Sequence, residues 1–300
     1  MRKLYTYLLL SMIVTLPLAG GCIRENMDDC KGKVTLRFRY VGDGTTDIFP
    51  EKIEHVTMYV YSIADGSLAA IQKYDDNALA AYQGADVMLF PGRYEVVCWG
   101  NALDETTINE GEKIAADGYF ENTDIATNDP LYYGTIEIEV PETLVENNYI
   151  CDFVCSHVKF RVRVEGFDQT TMGVPSLELT QLASFTDFDN VPSDEERCSY
   201  HPVLAAGYDG EQTVYTAEFN TLRFNDDNDI MLTLAAVRLH SDETRVVAHE
   251  FPLADFLQEH NIAVEGVNEV TVPILIRFSP IGVTIDDWDS VPVNPDFGKN

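Results

Sequence analysis

The residue with the clearest chemistry in this sequence is Cys22, because the segment before it has the layout of an export signal. Two basic residues start the chain, a largely apolar stretch runs from residue 4 to residue 18, and two glycines precede the cysteine. The apolar stretch is too short to span a bilayer, which takes about 20 residues. We expect cleavage after Gly21 and attachment of fatty acyl chains, palmitate among them, to Cys22, as in a bacterial lipoprotein. The alternative is a plain secretory signal, and both alternatives place the mature chain outside the cytoplasm.

The other cysteines could form disulfide bonds. They are Cys30, Cys98, Cys151, Cys155 and Cys198. An odd number in an oxidising compartment predicts one or two disulfides and a free thiol, and the sequence leaves the pairing open. Cys151 and Cys155 are not expected to bond each other, because four residues of extended chain span about 13 Å, more than a disulfide allows.

Residues that could carry catalysis or bind a metal are scattered. The six histidines (His55, His157, His201, His240, His249 and His260) lie in no zinc-binding pattern, and neither a nucleophile elbow nor a phosphate-binding glycine loop occurs. Asp226, Asp227 and Asp229 could bind calcium weakly, but a solvated hairpin turn is the favoured interpretation. We therefore expect a protein that is not an enzyme and has neither catalytic residues nor a metal. Its one non-protein group would be the covalent lipid on Cys22.

The chain is strongly acidic, with 50 Asp and Glu side chains against 20 Lys and Arg. Removal of residues 1–21 would leave 18 basic side chains and a net charge of about −32. Such a charge repels nucleic acid, so nucleic acid is not expected as a partner, nor is a membrane bound through a basic face. With 45% hydrophobic residues the chain can bury a core, and its length fits two domains better than one.

Alternating apolar and polar residues, the pattern of half-buried strands, recur along the chain. The alternation is strongest in residues 157–165 and clear in residues 34–40. Further strands are predicted at residues 55–61, 134–140, 176–182, 213–219, 230–239, 245–250, 268–278 and 282–288. Many short strands separated by Gly, Pro and Asp turns indicate an all-β protein built from sandwiches, with few short helices.

Four segments follow from these patterns. We expect a signal peptide over residues 1–21, a lipidated tether over residues 22–32, an N-terminal β-sandwich over residues 33–150 and a C-terminal β-sandwich over residues 151–300. The last boundary is placed where the first run of strands ends and the strongest new strand begins.

Two stretches depart from the strand pattern. Residues 102–130 are polar and aperiodic and are expected to form a long surface excursion. One short helix is predicted from Pro252 to His260, because proline suits a first helical turn and Leu253, Phe256 and Leu257 share a face.

Residues 88–101 predict two strands joined by a Pro91-Gly92 turn and followed by a Gly-Asn break. The second strand is apolar on both faces, which places it inside a sandwich or beneath a loop. Trp99 is therefore interpreted as a core residue and not as a ligand site. An exposed aromatic platform for carbohydrate is the alternative use of the many Tyr and Phe residues.

Several of these features together resemble one known family. They are the lipoprotein cysteine, Cys30, the opening strand of residues 34–40, the Pro-Gly turn that leads to Trp99-Gly100-Asn101, the strand of residues 158–166, and the closing residues 282–288. In this combination the chain resembles the FimB-like anchor and minor subunits of type V fimbriae. The resemblance covers nearly the whole mature chain.

The resemblance implies two transthyretin-like β-sandwich domains of Greek-key type, an outer-membrane location through the lipid, exposure at the cell surface, and other fimbrial subunits as partners. It also implies strand complementation, in which a sandwich accepts a strand from a neighbour. In polymerising subunits of the family, cleavage after a basic residue removes the N-terminal strand. Cleavage after Arg37 or Arg39 here would sever the body from Cys22, so an anchor is expected to keep that strand. The tail from residue 289 to 300 could donate a strand, although its prolines do not suit a central one.

Three other functions fit the same sequence features. A shaft subunit or a tip adhesin would share the same fold. A surface glycan-binding lipoprotein, from a different functional class, would share the lipid and the sandwiches and would bind sugar or a host ligand.

Overall fold

The computed structural model describes residues 30–109, 113–142, 147–167, 173–239, 244–279 and 282–288. The signal peptide, the cleavage position at Gly21, Cys22, most of the tether and the tail from residue 289 lie outside these residues. Within the described chain, no helix has both the length and the apolar character needed to span a membrane.

The protein is mostly β, as the sequence predicts. The strands are β1 (Gly32–Arg39), β2 (Val56–Ser62), β3 (Leu68–Tyr74), β4 (Gly84–Leu89), β5 (Gly92–Gly100), β6 (Thr106–Asn109), β7 (Lys113–Ala116), β8 (Tyr132–Val140), β9 (Asn147–Cys155), β10 (His157–Glu165), β11 (Ser176–Ala183), β12 (Arg197–Tyr200), β13 (Ala205–Tyr208), β14 (Thr213–Leu222), β15 (Met231–Leu239), β16 (Thr244–Pro252), β17 (Thr271–Ser279) and β18 (Gly282–Asp287). The helices are α1 (Phe49–Lys52), α2 (Asp76–Ala81), α3 (Asp117–Glu121) and α4 (Leu253–His260).

The strands up to Cys155 form one seven-stranded sheet in the order β3-β2-β5-β8-β9-β1-β4, beside the small β6-β7 hairpin. β8 and β9 pair only where residues 132–134 meet residues 153–155. Inward side chains from β2 and β5 share one core with those from β1, β4 and β9. The two parts of the sheet therefore face each other, and the sheet bends at this short junction. We call residues 30–155 the first half of the chain.

The strands from His157 onward form two sheets, ordered β13-β14-β10-β17-β18 and β12-β11-β15-β16. Their inward residues and the apolar face of α4 fill a second core. β10 lies at the centre of the five-stranded sheet, antiparallel to β14 and parallel to β17, which explains why its alternation is the strongest in the sequence. Residues 157–288 are the second half.

The change of sheet falls at Ser156 and not between residues 150 and 151. β9 runs on to Cys155 and pairs with β1 and β8, so residues 151–155 lie in the sheet of the first half. The sequence does not indicate this strand because Ile150 and Val154 point outward and are 49% and 42% exposed, so apolar residues lie on both of its faces.

Residues 102–130 are not the surface excursion that the sequence predicts. They contain β6, β7 and α3, and Ile114, Ala115 and Ala116 are buried. Ile114 exchanges backbone hydrogen bonds with Thr186 of the second half, at 2.8 and 2.9 Å. These three consecutive residues are buried because the segment lies between the two halves. Since both faces of the strand are covered, its sequence lacks the alternation of apolar and polar residues that marks a half-buried strand.

The predicted short helix is confirmed as α4. Pro252 occupies its N-cap, Leu253, Phe256 and Leu257 are buried, and Asn261 ends the helix in a left-handed conformation with φ of 55°. Asparagine tolerates this conformation better than most residues, which accounts for the sharp end of the helix.

Candidate functional site

The strand that joins the body to the N-terminus is held on both sides. β1 pairs in parallel with β9 and antiparallel with β4. Because it is the second strand from the edge, its removal would also leave β4 without its neighbour. The backbone of β1 therefore forms a ladder of hydrogen bonds on each side.

The inward face of this strand is fully buried. Val34, Leu36 and Phe38 have no exposed surface, and Tyr40, directly after the strand, is 1% exposed. The Phe38 ring contacts Phe49 and Phe153, with centroids 5.9 and 5.5 Å apart. Burial of each such side chain contributes about 1.5–3 kcal/mol, so spontaneous release of the strand is strongly opposed.

The outward face is joined to both neighbouring strands by polar contacts. Asp86 of β4 accepts a hydrogen bond from Thr35 at 2.7 Å and forms an ion pair with Lys33 at 2.9 Å. These two partners hold the pKa of the Asp86 carboxyl below its usual value. On the other side, Arg39 binds both carboxylate oxygens of Asp152 in β9, at 2.5 and 2.8 Å.

The end of this strand also contacts the second half. The Tyr40 hydroxyl donates to Glu269 Oε1 at 2.5 Å, and Lys52 Nζ lies 2.7 Å from Glu269 Oε2. Burial, together with this bond, raises the pKa of Tyr40 far above its usual value, so the hydroxyl stays protonated and remains the donor. Burial alone would raise the pKa of Glu269, but Lys52 and Tyr40 outweigh it and the carboxylate stays ionised.

A second set of contacts between the halves surrounds Asn268. Asp43 accepts from the backbone amides of Asn268 and Glu269 at 2.8 and 3.1 Å. The Asn268 side chain donates to Gly42 O at 3.0 Å and accepts from Cys155 N at 3.2 Å. These contacts fix the strand end, β9 and the segment before β17 in one unit.

Arg223 and His157, both in the second half, form further hydrogen bonds to the first half. The Arg223 guanidinium donates to the carbonyls of Cys155 and Asn268, at 3.2 and 3.1 Å, and also to those of Val264 and Val267. His157 Nδ1 donates to Leu131 O at 2.9 Å. Burial lowers the pKa of this imidazole to about 4, which keeps it neutral near pH 7.

Trp99 lies in the core, as the sequence predicts. It has no exposed surface and packs on Tyr133 and Phe188, with ring centroids 5.1 and 6.5 Å away. Phe188 belongs to a loop of the second half that covers the outer face of β5. The Pro-Gly turn is also confirmed, since β4 ends at Leu89 and β5 begins at Gly92.

The five cysteines of the described chain are free thiols, which differs from the expected one or two disulfides. Cys98, Cys151 and Cys155 are buried, Cys198 is half-buried and Cys30 is exposed. Burial raises the pKa of Cys155 to about 12 and that of Cys198 to about 11, so both remain as unreactive thiols. They pack as small apolar side chains in the cores.

The other sequence candidates have structural contacts. Asp226 Oδ1 accepts from the backbone amides of Val264 and Glu265, at 2.6 and 3.3 Å, and so ties the loop between β14 and β15 to the chain after α4. This loop is not the hairpin turn that the sequence predicts, because β14 and β15 belong to different sheets and the loop crosses from one to the other. Among the residues that the structure describes, no group of three or more His, Cys, Asp and Glu side chains is placed to hold a metal ion.

The exposed aromatic residues, which a carbohydrate platform would need, are scattered over the described chain. They are Tyr82, Phe90, Phe120 and Tyr208, and they come from four separate segments. No pair among these four rings is in contact.

The sequence did not indicate Glu269, Asp43 or Phe188, which hold the halves together. All three lie in loops, and Tyr40 and Glu269 are 229 residues apart along the chain. No local pattern could have identified these contacts.

A family model described as fimbrillin-A associated anchor proteins Mfa1 and Mfa2 matches residues 27–294. Among the curated proteins, none matches the sequence.

Solved structures share the fold at low identity. The fimbrial anchor protein Mfa2 from Porphyromonas gingivalis has a TM-score of 0.61 at 17% identity, over 86% of this chain and 98% of that one. A proposed adhesin from Bacteroides thetaiotaomicron has a TM-score of 0.62 at 18% identity, over 86% and 97%. Proposed polysaccharide-binding proteins of the same organism give 0.64 at 16% identity, over 86% and 96%.

Proposed function

The chain belongs to the family of fimbrillin-A associated anchor proteins Mfa1 and Mfa2, and on this premise we propose that it forms the fixed, membrane-proximal end of a fimbrium. It is a structural subunit at the cell surface, without enzymatic activity. The lipid on Cys22 holds it to the outer membrane, and its partners are the other subunits of the same fimbrium.

The observation that carries this proposal is the position of β1. An anchor must transmit force from the fimbrium to the membrane through its own N-terminus. β1 is paired on both sides, its inward side chains are buried, and its end is bonded to the second half through Tyr40 and Glu269. A pull on residue 32 is therefore resisted by both halves together.

The tether supports a position close to the membrane. Residues 23–32 span at most about 35 Å when fully extended. A single acyl chain binds a membrane only marginally, whereas two or more give a stable anchor. The net charge of about −32 after signal removal keeps the body soluble and disfavours direct contact with anionic lipid, so the lipid on Cys22 supplies the attachment.

Deletion of the gene, with complementation by the wild-type chain and by a Cys22→Ala variant, tests the proposal. We expect the deletion strain to shed its fimbriae or to make fimbriae of irregular length. The wild-type chain should restore attachment and the Cys22→Ala chain should not. Normal attached fimbriae in the deletion strain would refute the anchor role.

A further inference from the structure

One sheet edge of the second half is built differently from the other edges of the three large sheets. β13 is the outer strand of the five-stranded sheet, paired only with β14 among the described residues. Its sequence, Ala205-Ala206-Gly207-Tyr208, carries no charge, and neither do the residues from His201 to Leu204. No charged residue stands between Arg197 and Asp209.

The other five edge strands carry the charged side chains that commonly protect an open edge against pairing. These residues are Lys73 on β3, Asp86 on β4, Arg197 on β12, Glu250 on β16, and Asp286 and Asp287 on β18. β13 has none of these, and it has no proline or bulge.

The β13 edge is also open in space. All four of its residues are exposed, and the residue two positions before it, Val203, is 78% exposed. Tyr208 at its end is 70% exposed. Small side chains at the first three positions leave the backbone accessible from both faces of the sheet.

The hydrogen-bond register shows which backbone groups face outward. Asp209 N donates to Gln212 O at the hairpin turn, so these two residues form a hydrogen-bonded pair. Such pairs alternate along an antiparallel ladder. Gly207 and Ala205 are therefore bonded to β14, and the N–H and C=O groups of Ala206 and Tyr208 point away from the sheet.

We propose that the β13 edge is a docking site for an extended, uncharged β-strand of a neighbouring fimbrial subunit. This inference rests on the proposed function and adds where the anchor contacts the next fimbrial subunit. The strand pairs with the outward groups of Ala206 and Tyr208 and covers Val203 and the Tyr208 ring. Main-chain hydrogen bonds supply the affinity in this mode of recognition, and the side chains supply the selectivity.

The net charge of this protein indicates that the docked strand comes from a different protein and not from a second copy. Two copies of the mature protein would bring together two bodies with a net charge of about −32 each, and that repulsion opposes pairing of β13 with β13 of a second copy. A strand from a less acidic subunit meets less of this repulsion, and an uncharged strand places no charge against the uncharged edge.

Ala206→Pro is the decisive variant, because proline removes an outward N–H that makes no bond within the described chain. Proline is tolerated on an edge strand in this position. Ala206→Val is the matched control, since valine favours strands and keeps the N–H. Both full-length chains would be expressed in the deletion strain, and the fimbrial subunits that co-purify with each from detergent-solubilised membranes would be quantified.

We expect Ala206→Pro to lower co-purification about tenfold, equivalent to about 1.4 kcal/mol, while Ala206→Val behaves as wild type. Both variants should reach the membrane in normal amounts and melt close to the wild-type temperature. If a folded Ala206→Pro chain co-purifies as much of the fimbrial subunits as the wild-type chain does, the β13 edge is not the docking site. The anchor role would still stand in that case, provided that the deletion strain sheds its fimbriae. A concentration-dependent dimer that Ala206→Pro abolishes, or stronger co-purification after deletion of residues 289–300, would also overturn the proposal, by assigning the edge to a second copy or to the tail.

Discussion

The Tyr40 hydroxyl donates to Glu269 at 2.5 Å and so joins the end of the N-terminal strand to the second half of the chain. Tyr40 directly follows β1, and Glu269 lies just before β17. Because β1 itself belongs to the first half, a load on the N-terminus reaches both cores. This arrangement suits a protein that must not come apart under tension.

A double-mutant cycle between these residues should show a favourable coupling. We expect Tyr40→Phe and Glu269→Ala each to lower the free energy of unfolding, with a coupling energy of about 1 kcal/mol, since hydrogen bonds to a charged group exceed the neutral average but this carboxylate is partly solvated. Urea unfolding of the two single variants and the double variant measures it. Tyr208→Phe is the control, because that ring is exposed and should leave the midpoint unchanged. Additive effects of the two variants would contradict a direct bond.

Trp99→Ala should destabilise the protein by about 3–5 kcal/mol, the usual cost for a fully buried aromatic side chain. Because Trp99 packs on Phe188 of the second half, the loss should also weaken the joint between the halves. Thermal unfolding and secreted yield measure the effect, and Trp99→Phe should cost less because it leaves a smaller cavity. An unchanged melting temperature would place the ring outside the core.

The sequence predicted those parts of the fold in which each strand has one buried face. β1 and β10 have strict alternation, and the pattern predicts their ends to within one or two residues. The pattern does not indicate β9, because Ile150 and Val154 face solvent, or β13, because both of its faces are exposed. Residues 114–116 show no strand pattern because they are buried on every side, so the sequence wrongly predicts a surface position for them. The joint between the halves could not be predicted, since loop residues far apart in sequence form it.

Acid should weaken the fold through His157. Burial lowers the pKa of its imidazole to about 4, against about 6.5 in the unfolded chain. Between these values the unfolded chain binds the extra proton, so stability is complete above pH 6.5 and falls as the pH drops towards 4. The expected loss from this residue is about 2 kcal/mol at pH 5.

The variant His157→Gln separates this contribution from the carboxylates nearby, which include Glu269. Glutamine can keep the hydrogen bond to Leu131 O but does not titrate. Denaturant unfolding at pH 7.5 and pH 5 should therefore show a smaller drop for His157→Gln than for the wild-type chain. Equal drops would mean that the carboxylates alone account for the acid sensitivity.

Cys22→Ala should release the protein from the membrane. The expectation follows from the basic start, the apolar stretch and the glycines before this cysteine. Cell fractionation measures it, and Cys30→Ala is the matched control because Cys30 is an exposed thiol at the start of the described chain. The first variant should appear in the soluble fraction and the second should stay with the membrane. If the Cys22→Ala chain stayed membrane-bound, with unchanged mobility on a gel, the lipid proposal would fail.

The N-terminal strand should remain on the working protein. Arg37 and Arg39 have exposed side chains, but a protease must lift the backbone of β1 out of two ladders to cut after them. Intact-mass measurement of the protein taken from cells should therefore find a chain that begins at Cys22 and carries acyl chains. A dominant species that begins at Phe38 or Tyr40 would show that the strand is removed and would make this chain a polymerising subunit.

Limited trypsin digestion tests the physical reason. Lys31 precedes the strand and is exposed, so cleavage there should come first and serve as the internal standard. Cleavage after Arg37 and Arg39 should be slow in the wild-type chain and much faster in Phe38→Ala, which loses about 3–5 kcal/mol of packing against Phe49 and Phe153. Equal rates in the two chains would mean that the buried face of β1 does not protect it, and retention in cells would then need another cause.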